Sequence, residues 1–270
     1  MPELPEVETI RRALAPLVTG RRVIDAGGHP SAKFSSAPAA IGATIAGVDR
    51  RGKYLLLPLS TGDELVVHLG MTGKLRLRPS TTAPDDDGFV RAWWELDDGQ
   101  RLELHDVRRF GRVAVVAAGD HAALPTLAAL GPEPFDPSLT GDALWQSLRR
   151  SRTRVKTQLL SQRPIAGVGN IYADEALWRA RVHPARRTVT RAEAARLLEA
   201  LRDVLDEGIR HGGTTLRDYR SVDGSEGENQ HHLDCYGRGG EPCRRCGAVL
   251  RRREYDGRTA TFCPSCQPNR

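Results

Sequence analysis

The chain has 270 residues, enough for two domains or one with an appendage, and its formal charge of +6 points to a polyanionic partner. It has no apolar run long enough to span a bilayer and no signal peptide, which excludes membrane and secreted classes and predicts a cytoplasmic protein. The charge is uneven: residues 238–270 hold eight Arg against three acidic residues, and Lys33, Lys53, Lys74 and Lys156 are the only lysines.

The chain opens MPELPEVETI. A small second residue allows Met1 to be trimmed, which would leave Pro2 as an N-terminal secondary amine. Such a group has a pKa of roughly 7.7–8.0, so an appreciable fraction is nucleophilic near neutrality. With Glu3 and Glu6 close by, this is equipment for carbonyl or acetal-carbon chemistry through a Schiff base. The same residues also suit an ordinary helix start. Pro5 fits the first turn, Glu6 and Glu8 complement the helix dipole, and Val7, Ile10, Leu14, Leu17 and Val18 follow at helical spacing.

Short β-type segments come next, at residues 23–24, 44–48, 54–59, 65–69, 75–77, 90–96, 101–104 and 113–117, divided by Gly-, Asp- or Pro-containing turns. Their close spacing predicts an antiparallel sandwich. Residues 80–88 read as a polar loop. At Leu130-Gly131-Pro132-Glu133-Pro134 the pattern becomes helical, which marks a domain boundary. Helices are predicted over 143–150, 155–161, 172–180 and 191–209. Before the third of these, the Gly-rich turn 164–170 either presents backbone N–H groups to an anion or simply turns the chain. Residues 221–234 carry Asp223, Glu226, Glu228 and Asp234 without Lys or Arg, and read as an acidic loop.

The tail carries the sharpest motif. Cys243-x2-Cys246 and Cys263-x2-Cys266 have the spacing of a four-thiolate zinc site, closed and structural rather than catalytic; two disulfides are the alternative. The Arg-rich residues between the pairs predict two strands and a turn that deliver guanidinium groups to phosphates. Cys235 lies outside this spacing and reads as a small, partly buried side chain.

With these residues in hand, the chain closely resembles the bacterial formamidopyrimidine-DNA glycosylases, relatives of endonuclease VIII. The motifs are PELPEVET, RRGKYLLL, HLGMTG, RRFG, LGPEP, GVGNIYADEALW, GGTTL, YGR and the two CxxC pairs, in order from end to end. The resemblance implies an α+β multidomain fold: an N-terminal antiparallel β-sandwich with a leading helix over 1–130, a helix-two-turn-helix domain with a lesion-capping loop over 131–234, and a zinc finger over 235–270. It implies a monomeric bifunctional glycosylase and abasic-site lyase that acts on double-stranded DNA containing an oxidised purine.

In that family reading Pro2 attacks C1′ of the damaged nucleotide, Glu3 shuttles the proton and Glu6 supports it. Lys53 lies near the lesion phosphate, and Arg258, in the zinc hairpin, clamps phosphate. Met71, Arg109 and Phe110 fill the void left by the everted base, while His68, Lys156 and Asn170 approach the DNA backbone. Two departures stand out. Val107 replaces the usual proline of DPRRFG. Gly227-Glu228-Asn229 replaces an aromatic in the lesion-capping loop, which predicts a shift from 8-oxoguanine toward formamidopyrimidines. The rival readings are a zinc-anchored protein that binds damaged DNA without cutting it, and an oxidised-pyrimidine glycosylase.

Overall fold

A computed structural model describes residues 1–82, 87–216 and 219–269. The centre of the predicted polar loop, residues 83–86, lies outside them. The chain divides into two compact units: Met1–Ala128 with His211–Glu228, and Ala129–Arg210 with Asn229–Arg270. The segment His211–Glu228, assigned from sequence to the helical domain, thus packs in the first unit, while the helices and the cysteine-rich tail share the second. None of the described helices is long and apolar enough to cross a membrane.

In the first unit α1 (Leu4–Val18) carries Pro5 in its first turn and directs Val7, Ile10, Leu14 and Val18 inward, as the spacing predicts. Eight strands follow: β1 (Val23–Gly28), β2 (Asp49–Arg51), β3 (Tyr54–Pro58), β4 (Asp63–His68), β5 (Lys74–Pro79), β6 (Val90–Leu96), β7 (Gln100–His105) and β8 (Arg112–Ala117), then a single-turn α2 (Pro125–Ala128). Among the described residues they form two four-stranded antiparallel sheets, ordered β1-β6-β7-β5 and β2-β3-β4-β8. Leu55, Leu57, Leu65 and Val67 from one sheet and Trp94, Leu102 and Leu104 from the other bury their side chains in a common core with α1. Each such side chain contributes on the order of 2 kcal/mol of transfer free energy.

One strand differs from expectation. Residues 44–48 make only isolated bridges, Arg22 to Thr44 and Ile45 to Leu59, and the strand is the charged Asp49-Arg50-Arg51. Pairing at a sheet edge needs backbone groups rather than apolar side chains, so hydrophobic alternation does not find it. Arg50 has a partner there. The buried Glu8 of α1 accepts from Nε of Arg11, Arg12 and Arg50 at 3.0, 2.8 and 3.1 Å. Burial opposes ionisation of Glu8, but these guanidinium groups prevail and hold its pKa at about 2.

The second unit contains α3 (Gly141–Arg149), α4 (Val155–Leu160), α5 (Asn170–Ala180) and α6 (Arg191–Arg210), close to their predicted spans, then the hairpin β9 (Arg251–Tyr255) and β10 (Arg258–Phe262). The N-cap Thr140 accepts from the Ala143 N–H and starts α3. Asp256 and Gly257 form the two-residue hairpin turn, with φ of 51° and 72°. Its tip is tied down by Arg154 and Thr157, which reach the two Asp256 carboxylate oxygens at 2.5 Å each.

Lys156, expected from the resemblance to approach the DNA backbone, is 1% exposed, and its Nζ donates to Asp174 Oδ1 and to the Thr259 carbonyl, both at 2.6 Å. Asp174 Oδ2 accepts the Thr261 N–H at 2.9 Å, so the buried pair holds β10 at two points. Burial pushes the Asp174 carboxyl up, with Lys156 and the Thr261 N–H pulling against it.

Two outcomes follow from these buried charges. Glu8→Gln is expected to cost about 2 kcal/mol at pH 7. The lowered pKa stabilises the fold above the ordinary carboxylate value of 4.5, a contribution lost as pH falls through about 2, so thermal melts of wild type and variant should converge across that window. An equal offset at pH 2 and pH 7 would refute it. Lys156→Met or Asp174→Leu alone should each cost about 3–5 kcal/mol by leaving an unpaired buried charge, and the double variant should recover most of it. Denaturant titrations that return simply additive losses would exclude this.

Candidate functional site

The first unit organises the N-terminus. Pro2 is buried and Glu3 is 3% exposed, just ahead of α1. Glu6 lies one turn on, and its carboxylate accepts two backbone N–H groups at 2.7 Å: Oε2 from Glu3 and Oε1 from Thr214. The first bond caps the helix; the second reaches 208 positions along the chain. Gly213 makes the approach possible, since a Cβ there would lie 3.0 Å from Glu6 Cγ and from the Tyr219 ring, at a φ of +88°. Tyr219 closes the arrangement by donating its hydroxyl to the Gly212 carbonyl at 3.0 Å. Burial, reinforced by Glu6, raises the Tyr219 pKa and keeps it a neutral donor. Thr214 and Tyr219 escaped prediction as individual site residues; the GGTTL motif was a signal for Thr214, while Tyr219 lies outside every motif.

Lys53 follows Gly52 in the β2–β3 turn and is 2% exposed. Its charge acts on His68 at the end of β4. Burial, then Lys53 and Arg112, lowers the His68 pKa to about 4, so the ring is neutral at pH 7. His68 Nδ1 accepts the Gly70 N–H at 3.2 Å, which assigns the proton to Nε2 and leaves that atom a donor. Met71 and Phe110 are 40% and 45% exposed, on the β4–β5 and β7–β8 loops, and Arg109 is exposed beside Phe110. Large apolar side chains left in solvent at loop tips suit a surface that inserts into a partner.

In the second unit, Asn170 is the first residue of α5, and its Oδ1 is buried without a hydrogen-bond partner among the described residues. A cavity of about 350 Å³ lies beside it, lined by Tyr236, Gly237, Arg252, Thr259 and Thr261. The buried Glu175 positions one wall: its carboxylate accepts the backbone N–H groups of Asp234, Cys235 and Tyr236 at 2.9, 2.8 and 2.6 Å. Arg258 is exposed at the first position of β10. Glu175 and Asp174, both buried on α5, were not singled out from sequence; charges inside an otherwise apolar helix were the available signal.

The four tail cysteines converge, with all Sγ atoms within 4.8 Å of one another. A zinc tetrahedron with Zn–S bonds of about 2.3 Å has sulfur–sulfur edges of roughly 3.8 Å, so the set fits the metal. The Cys246 and Cys263 Sγ atoms are 3.5 Å apart, far beyond a disulfide bond of about 2.0 Å. Burial opposes ionisation of Cys243, but N–H donors from Arg245, Trp178 and Cys246 bring its thiol to about 6. The cluster is a structural site for one zinc ion. Its core also contains Trp178, Leu250 and Cys235, the last fully buried rather than partly so.

Comparison with known proteins agrees across the length of the chain. Residues 1–113 match the formamidopyrimidine-DNA glycosylase N-terminal domain, 130–220 the H2TH domain of the same enzymes, and 240–269 the zinc finger found in FPG and IleRS. Formamidopyrimidine-DNA glycosylase of Thermomicrobium roseum is 48% identical, covering 99% of each chain, and that of Deinococcus radiodurans is 44% identical, covering 100% of this chain and 98% of the other. The crystal structure of the MutM (Fpg) protein from Thermus thermophilus superposes with a TM-score of 0.92 at 46% identity, covering all of both chains. The Lactococcus lactis Fpg in complex with Fapy-dG-containing DNA superposes at 0.87 with 33% identity, over 98% of this chain and 100% of that one. On this agreement of sequence, fold and metal centre, the chain belongs to the formamidopyrimidine-DNA glycosylase family.

Proposed function

We propose that the chain is a bifunctional DNA glycosylase and abasic-site lyase of base excision repair that removes oxidised purines from duplex DNA in the bacterial cytoplasm. The observation that carries this reading is the buried N-terminus registered by Glu6. A plain helix start needs the bond to Glu3 but not the one to Thr214. Once Met1 is removed, the Pro2 nitrogen attacks C1′ of the damaged nucleotide and the base departs with a proton from Glu3. The C1′–O4′ bond then breaks, with O4′ taking the proton that the Pro2 nitrogen gives up; the ring-opened iminium acidifies the C2′ proton, whose loss expels the 3′ phosphate, and a second elimination expels the 5′ phosphate.

The other residues have supporting roles. Lys53, His68 as a neutral Nε2–H donor, Asn170 and Arg258 bind phosphates. Met71 and Phe110 fill the space of the everted nucleotide, and Arg109 offers donors to the orphaned base. Zinc, when bound, supplies a cross-link and no chemistry. Glu228 is exposed beside the buried Gly227, with its own N–H donated to the His211 carbonyl at 2.8 Å.

Borohydride trapping on duplex containing one 8-oxoguanine or formamidopyrimidine tests the mechanism. A covalent adduct should form with the Met1-free chain and vanish in Pro2→Gly or when Met1 is retained; a non-cutting DNA-binding protein yields none in any form. For lesion choice, Glu228→Tyr should raise excision of 8-oxoguanine relative to formamidopyrimidine, and an unchanged ratio would rule out Glu228 as a determinant.

A further inference from the structure

The β7–β8 loop carries Arg109 and Phe110 on a backbone that does not relax into this shape unaided. Arg109 has φ +53°, a left-handed conformation unfavourable for a residue that bears a side chain. The loop is braced on several sides. Asp106, fully buried, accepts the Thr72 hydroxyl at 2.5 Å and the Gly111 N–H at 2.7 Å. Lys33 Nζ donates to the Arg109 carbonyl at 2.8 Å. At Gly70 a Cβ would fall 2.4–2.6 Å from the backbone of Phe110 and Gly111, so the Met71 loop and the Arg109–Phe110 loop touch through their main chains and form one wedge.

A further brace is Arg91, which no sequence motif singled out. The β6–β7 register shifts between Val90 and Ala92, making Arg91 the extra residue of a bulge, a device that re-aims a side chain. It is 8% exposed. Its Nε donates to the Asp106 carbonyl at 2.8 Å, Nη1 to Gly88 at 3.0 Å and Nη2 to Val107 at 3.4 Å. Among the described residues no carboxylate pairs with it: its guanidinium donates to backbone carbonyls and lies over the Phe89 ring, 5.6 Å from the centroid. That is a costly way to fill space and an effective way to set a backbone. Val107 has no ring to fix its own φ, and its carbonyl is one that Arg91 holds.

We propose that Arg91 is a positioning residue for base eversion: by fixing the Asp106–Val107 backbone it delivers Met71, Arg109 and Phe110 as a preformed wedge. This rests on the glycosylase reading, in which those three side chains enter the duplex. A wedge displaced by an ångström should slow eversion and leave the covalent chemistry intact.

The test compares Arg91→Met and the milder Arg91→Lys with wild type, all Met1-free and zinc-loaded, on two substrates. Duplex with a formamidopyrimidine opposite cytosine requires eversion; single-stranded abasic DNA does not. Arg91→Met should lose on the order of 10–100-fold in duplex excision. Its cleavage of single-stranded abasic DNA should stay within about twofold of wild type, with Arg91→Lys intermediate because one ammonium cannot span three carbonyls. The duplex deficit should shrink when the lesion sits in a mismatch that is already unstacked. If Arg91→Met does not fold, the same comparison is read from Arg91→Lys. Equal losses on both substrates, or no loss on either, overturn the inference while the glycosylase reading stands. A wild-type chain that traps no abasic DNA overturns both.

Discussion

Two N–H bonds to one carboxylate organise the chemistry of this chain. Glu6 is 1% exposed, and a carboxylate so placed persists in ionised form only with donors in reach. Both come from backbone, one beside Pro2 and the other in the segment after α6. The interaction therefore does more than cap a helix. It fixes the start of the chain against residues 213–214, and a terminal amine is useful in catalysis only when its position is held. In the proposed mechanism Glu6, which accepts both bonds, supports the site while Glu3 shuttles the proton.

The second unit solves a similar problem with different parts. Arginines on a two-stranded hairpin have no core of their own, since β9 presents Arg251 through Glu254 to solvent. The cysteine cluster secures one end. Lys156 and Asp174 grip β10 at Thr259 and Thr261, and Asp256 is held at the tip. Glu175, the next residue on α5, takes the 234–236 turn. Adjacent carboxylates in one buried helix thus shape two walls of the cavity at Asn170, whose unsatisfied Oδ1 is left available there. Burying so much charge is poor economy for stability alone, because apolar residues of similar size often do as well. It does specify a geometry, as each charge accepts only the partner that satisfies it.

The wedge loops follow the same rule in reverse. Met71 and Phe110 expose apolar surface that the fold does not cover, and Arg109 sits in an unfavourable backbone region. Their strain is offset below them by Asp106, Lys33 and Arg91, which hold carbonyls and N–H groups of the loop; Lys33 also lies 5.9 Å from the Phe110 ring centroid. In the proposed function these tips enter a duplex, and much of their order is set through the backbone.

Local signals were enough for much of this. The helical spacing after Pro5, the short β-type segments at β3 and β4, the four helices of the second unit and the cysteine spacing each encode a feature within a few residues, and the structure contains them all. Features that depend on distant partners were not readable in that way. The charged strand β2 exists because Arg50 meets Glu8. Residues 211–228 pack with the N-terminal unit because Thr214 reaches Glu6. Lys156 anchors a hairpin because Asp174 lies beside it. Arg91 became a brace because a bulge re-aimed it. Periodicity and spacing record what a residue does with its neighbours in sequence. Whether a buried charge has a partner is decided by residues far along the chain, and only the tertiary fold brings them together.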